Sequence, residues 1–196
     1  MKVNITHQES YSRGQLLLRS FFGIFYIGLP HIFLLLFCGI WAAIQHFIAF
    51  WTILFTGRYP QTFFEYQLGM LRWQLRVNAR ILNLSDGYPS FFPSGTDTNT
   101  GVEIPYPEST SRGLTLVRAL FGGLYVALPH GFILIFRSWW GSILSFIAWW
   151  AVLFTGKYPA GMHAFNVGTM RWSLRVNAYL LFMIDKYPPF TGKEVE

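Results

Sequence analysis

The longest unbroken pattern in the chain is apolar. Residues 20–57 contain no Asp, Glu, Lys or Arg, and residues 119–136 and 138–156 repeat that character with only Arg137 between them. Such runs predict membrane helices, because about 20 apolar residues cross a hydrocarbon core of roughly 30 Å. Weak breaks at Cys38-Gly39 and Arg137-Ser138 divide each run. They predict paired spans over 16–37 and 40–55, then over 114–136 and 139–154. Thr-Gly follows each second span. Gly57 and Gly156 suit the left-handed position after a helix, and the Tyr-Pro pairs ending in Pro60 and Pro159 bar its continuation. The pattern then becomes amphipathic. Phe64, Leu68, Leu71, Leu75 and Leu82 share a helical face, with Arg72, Arg76 and Arg80 recurring every four residues beside it. The later copy keeps Arg171 and Arg175 but has Tyr179 in place of Arg80. A helix of this kind is expected to lie in the headgroup layer, with Trp73 and Trp172 as interfacial anchors.

The whole succession is stated twice. A shift of 99 residues aligns 12–91 with 111–190 without a gap, and 39 of the 80 pairs are identical, which argues for an internal duplication. The expected units are a membrane repeat over 12–91, a polar cytoplasmic linker over 92–110 and a second repeat over 111–190. The linker is rich in Ser, Thr, Pro, Gly and Asn. The N-terminal residues 1–11 are polar and expected to fray or lie on the surface.

Composition sharpens the membrane reading. The chain is 53% hydrophobic and 12% charged, about half the charged share of a typical soluble chain. The formal charge of +6 then belongs outside the bilayer core, facing anionic headgroups rather than nucleic acid, since the arginines alternate with large apolar residues. Lys and Arg flank the start of each first span and the end of each second. The positive-inside rule therefore places both termini and the linker in the cytoplasm and makes the repeats parallel. Arg19 and Arg118, one turn inside the first spans, are expected to snorkel to the headgroups. Cys38 is the single cysteine, so no intramolecular disulfide forms. No cleavable signal peptide is evident, and the first span is expected to act as its own insertion signal.

Candidate chemistry is sparse. Leu-Pro-His occurs at 29–31 and 128–130, and proline frees a backbone carbonyl one turn earlier. His31 and His130 either hold that kink or line a proton path; no Asp or Glu lies within the spans to complete a relay or a metal site, which favours the structural role. Gln45 and His46 have Leu144 and Ser145 as counterparts, and interhelical hydrogen bonding is their simplest use. The arginine stripe anchors on lipid phosphate, holds a specific lipid or partner, or pairs with Asp86 and Asp185. Gly-rich phosphate loops, HExxH and GxSxG are absent, so no catalytic residue, metal site or cofactor is assigned.

Pro-His in the first span, TG[RK]YP after the second, G-x-x-RW-x-x-RV-x-A and the closing Asp185-Lys186-Tyr187-Pro188-Pro189-Phe190 together resemble a bacterial integral-membrane family known as a domain of unknown function, DUF4389, in two tandem copies. The resemblance implies paired spans plus an interfacial helix in the bacterial inner membrane and brings no activity with it. The expected fold is therefore all-α and polytopic, with four spans in two parallel helical-hairpin repeats, each followed by an amphipathic helix. The expected function is a non-enzymatic membrane scaffold or accessory subunit. Its Arg72, Trp73, Arg76, Arg80, Arg171, Trp172 and Arg175 would hold anionic lipid or another membrane subunit. The alternative is a small transporter or channel with a histidine-lined path between the repeats.

Overall fold

The computed structural model describes residues 1–194 and is mostly helical. Its four helices are α1 (Arg13–Thr56), α2 (Gln61–Ile81), α3 (Arg112–Thr155) and α4 (Ala160–Leu180). Two short strands, β1 (Lys2–Ile5) and β2 (Thr100–Glu103), pair antiparallel with Val3 opposite Val102.

Helices α1 and α3 are each 44 residues long and apolar enough to cross a membrane. The turns expected at Cys38-Gly39 and Arg137-Ser138 do not form, so the paired spans of each half are one continuous helix. A lone glycine costs a helix only about 1 kcal/mol against alanine, too little to end an otherwise intact ladder. Arg137 keeps its charge satisfied without leaving the helix. Its Nε donates to Thr169 Oγ1 at 2.9 Å, and the guanidinium lies 4.2 Å from the Phe165 ring centre. The irregularity falls earlier, in π-helical turns at Ile24–Gly28 and Gly123–Ala127, just ahead of Pro30 and Pro129. Proline has no N–H to give the preceding turn, and a wider turn is a common way to absorb that.

Both long helices start on a serine cap: Ser12 accepts from the Gln15 amide and Ser111 from the Leu114 amide. Both end on glycine in the left-handed region, Gly57 at φ 71° and Gly156 at φ 72°. The start of each meets the end of the other. Tyr11 N–H donates to the Gly156 carbonyl, Thr110 N–H to that of Gly57, and Arg13 to that of Phe154. The long helices therefore run antiparallel and touch through their end regions.

Helix α2 returns along α1, with Gln67 against Ala42, Tyr66 against Cys38 and Trp73 against His31. It is not the lipid-facing helix expected from its pattern. Phe64, Leu68, Leu71 and Leu75 are buried, and so are Trp73, Arg76 and Arg80 on its other sides. The presumed linker and the N-terminal residues cover it and α4. Alternate residues Val3, Ile5, Val102 and Ile104 are buried beneath the strand pair. Outward, the long helices expose an apolar face along their whole length, including Phe22, Phe25, Phe33, Ile40, Phe47 and Phe55 on α1.

Candidate functional site

The Leu-Pro-His triplet, the Arg-Trp motif and a second Tyr-Pro pair that closes each repeat, Tyr88-Pro89 and Tyr187-Pro188, are scattered through the sequence and converge on one cluster in each half. Pro30 cannot bond the carbonyl of Tyr26, and the Tyr88 hydroxyl donates to that carbonyl at 2.9 Å. In the second half Pro129 frees Tyr125, and Tyr187 donates to it at 2.9 Å. An unpaired carbonyl away from water costs on the order of 1–3 kcal/mol, so the tyrosine of each Tyr-Pro turn is the natural partner of the proline kink.

His31 fills the adjoining space. Its Nδ1 accepts from Trp73 Nε1 at 2.9 Å, and its ring stacks on Phe91 at 4.2 Å between centres. His130 has the same partners, with Trp172 at 2.9 Å and Phe190 at 3.9 Å. Accepting at Nδ1 makes each a neutral ring with its proton on Nε2. Both histidines are 0% exposed. Trp73 and Trp172 are thus not surface anchors: they are buried donors that lock the amphipathic helix onto the long one.

Much of the arginine donor capacity is taken up by the chain itself, although Arg76 Nε and Arg80 Nε and Nη1 are buried without a partner. Arg76 donates to the carbonyls of Gly95 and Phe92, each at 2.7 Å, and Arg80 pairs with Asp97 at 2.7 Å. Arg72 donates to the Val102 carbonyl and is the exposed member of the stripe. In the second half Arg175 donates to the carbonyls of Thr191 and Lys193. Arg171 reaches those of Val3 and Gly192 and the Glu194 carboxylate. Burial pushes the Arg76, Arg80 and Arg175 guanidiniums below their ordinary values, and Asp97 pulls Arg80 back up. The glycine of each Gly-x-x-Arg-Trp motif lets the covering segment lie flat on the helix. A Cβ at Gly69 would stand 2.7 Å from Pro93, and one at Gly168 would stand 3.1 Å from the Gly192 carbonyl oxygen.

Asp86 and Asp185 do not pair with this stripe. Each binds the arginine expected to snorkel: Arg19 meets Asp86 at 2.8 Å and Arg118 meets Asp185 at 2.6 Å. Both arginines are buried because their remaining donors also find acceptors, Asn83 and the Ser85 carbonyl for Arg19, and the Tyr179 and Ile184 carbonyls for Arg118. With those acceptors at hand, burial no longer leaves a charge unpaired.

The remaining candidates lie apart from this cluster. Gln45 is buried with its Oε1 unpartnered, and His46 stacks on Phe182 at 4.6 Å with Nδ1 buried and unpartnered. Gly57 sits under Arg112, and Gly156 beside Arg13. Pro60 and Pro159 are the caps from which α2 and α4 start. Among the described residues no group of three or more His, Cys, Asp or Glu is placed to hold a metal ion. Sequence reasoning reads Tyr88 only as part of a closing turn and gives Phe91 and Asp97 no role; the recurrence of Tyr88 and Phe91 at 187 and 190 was the available signal for the cluster.

Residues 117–192 match the family model of a domain of unknown function (DUF4389). The DUF4389 match takes in His130, Arg171, Trp172, Arg175, Tyr187 and Phe190, so it spans the second cluster and, through Thr191 and Gly192, part of what covers its arginines. Comparison with curated proteins and with solved structures gives no match.

Proposed function

We propose that the protein is a non-enzymatic scaffold or accessory subunit seated in a bilayer through the outer faces of α1 and α3. One observation carries the reading: two 44-residue helices expose a continuous apolar face, while the arginines that might have bound lipid are engaged behind them. At 1.5 Å per residue each helix is about 66 Å long, roughly twice the hydrocarbon thickness. A mismatch of that size disfavours an upright span. Basic residues stand at both ends of the pair, Arg13 with Lys157 and Arg58 with Arg112. Such placement supports helices bedded in one leaflet, with strands, tails and the arginine stripe at the same surface. Exposed Arg72 and the end residues are among the cations placed to meet anionic headgroups.

Trp41, Trp51, Trp139, Trp140 and Trp150 are exposed on these faces, whereas Trp73 and Trp172 are buried. In vesicles of brominated lipid, fluorescence from the first set is expected to be quenched and that from the buried pair spared. Release of the protein from membranes by alkaline carbonate would overturn the reading. In a Cys38→Ser background, Arg58→Cys and Lys157→Cys are expected to react with an impermeant thiol reagent from the same side. Labelling from opposite sides would exclude the single-leaflet arrangement. The channel alternative draws no support from His31 and His130, whose rings are packed between aromatic neighbours.

A further inference from the structure

Three adjoining cavities cross the middle of the molecule. One of about 430 Å³ lies between α1, α2 and the end of α4. Its counterpart, 99 residues displaced, has about 290 Å³ and lies between α3, α4 and the end of α2. A smaller one of about 90 Å³ joins them where α2 crosses α4. No Lys, Arg, Asp or Glu lines any of the three. Gln74, Asn78, Ser173 and Asn177 form the shared floor, and Asn78 and Asn177 are exposed. The side chains of these four make no hydrogen bond to the protein among the described residues. His46, on the wall of the larger cavity, has its Nδ1 buried and unpartnered. The same stretch of α1 exposes Ile40, Ile44 and Phe47, and the matching stretch of α3 exposes Trp139, Ile143 and Phe146.

On the reading that these helices face lipid, amides and hydroxyls without partners would sit in a medium that cannot hydrate them, at several kcal/mol each. We propose that this cleft binds a lipid whose headgroup is uncharged and rich in hydroxyls, such as a glycosylated diacylglycerol. Amide and hydroxyl side chains both donate and accept, which matches a polyol. A phosphate would bring a charge into a cleft with no cation to meet it. The larger cavities fall in or near the size range of small-molecule sites, and the flanking apolar side chains suit acyl chains. The site rests on the membrane-seated reading and fails separately from it.

The test uses the full chain purified from vesicles containing equal parts of monoglucosyl-diacylglycerol, phosphatidylglycerol and phosphatidylcholine, with bound lipid measured by native mass spectrometry. Flotation with the vesicles is scored in parallel. The glucosyl lipid is expected to be retained at least about tenfold over phosphatidylglycerol, the scale of one or two well-made hydrogen bonds. Asn78→Leu/Asn177→Leu is expected to lose most of that preference while floating like the parent. Ala43→Trp/Ser142→Trp, which fills both mouths from exposed positions, is expected to do the same without touching the floor. Equal retention of all three lipids, a preference that survives both variants, or a bound protein helix in place of lipid would overturn the site. Failure of the parent chain to float would instead remove the membrane seating on which the site depends.

Discussion

The two halves of the chain bury the same arginine pattern under different covers. In the first half the cover is the segment that follows α2: Phe92 and Gly95 give carbonyls to Arg76, Val102 gives one to Arg72, and Asp97 adds a carboxylate for Arg80. In the second half the cover comes from two distant pieces. Thr191 and Lys193 serve Arg175, while Val3 reaches Arg171 from the other end of the chain. Tyr179 stands where Arg80 would be, buried beneath the Arg118 guanidinium at 4.8 Å. What the halves share is thus arginine held by backbone carbonyls. What separates them is one enclosed ion pair. Carbonyl oxygens are supplied by any residue, so the covering sequence is free to differ while the arginines recur. A carboxylate at one buried position is not replaceable in that way.

The sharpest way to break this comparison is to remove the two carboxylates in turn. The Asp97 side chain is 5% exposed and that of Glu194 is 81% exposed. Asp97→Ala leaves Arg80 enclosed without its counter-ion and is expected to cost about 3–5 kcal/mol. Glu194→Ala removes a solvated pair worth less than about 1 kcal/mol. Equal losses in denaturant melts of the purified protein would show that the covers are equivalent after all. A smaller effect tests what the halves share. Trp73→Phe and Trp172→Phe each strand a buried histidine acceptor and are expected to destabilise by a similar amount, about 1–3 kcal/mol. A marked difference between the two in the same melts would separate the clusters.

The smallest predicted effect belongs to one half only. His163 on α4 donates from Nε2 to the Leu84 carbonyl at 3.1 Å and lies 4.8 Å from the His7 ring. Its position in the first half is held by Phe64. Burial pushes the His163 imidazole below its ordinary value, more than the Leu84 hydrogen bond raises it. The unfolded chain therefore binds the extra proton first. Stability is complete above about pH 6.5 and declines as the pH falls toward the depressed value in the folded protein. His163→Phe is expected to flatten that acid decline, read as the midpoint of thermal unfolding against pH. An unchanged profile would assign the acid sensitivity elsewhere.

What could be read from the sequence was local. The apolar runs, the helix stops at Gly57 and Gly156 and the helical spacing of the arginines each depend on a few neighbouring residues. The errors came where a neighbour was distant. Gly39 resembles a helix break until the continuous ladder around it is seen, and Arg137 resembles a turn until Phe165 and Thr169 are beside it. Arg19 and Arg118 look like residues reaching for headgroups because Asp86 and Asp185 lie 67 positions away. Strands of four residues carry too little alternation to announce themselves. The arginine stripe was legible as a pattern and illegible as a contact, since its acceptors are carbonyls that every residue possesses.

The pairing of Val3 with Val102 has a consequence for the order in which the protein is assembled. As the chain emerges, α2 and the segment that covers it leave the ribosome in succession, so the first arginine cradle is able to close early. Helix α4 emerges later and is covered in part by residues made well before it, Val3 among them. Closing that large loop carries an entropic cost and places the contact late in folding. β1 is able to pair with β2 as soon as Glu103 is made, so it is the contact of Val3 with Arg171 that waits for α4, and the second arginine cradle closes after the first.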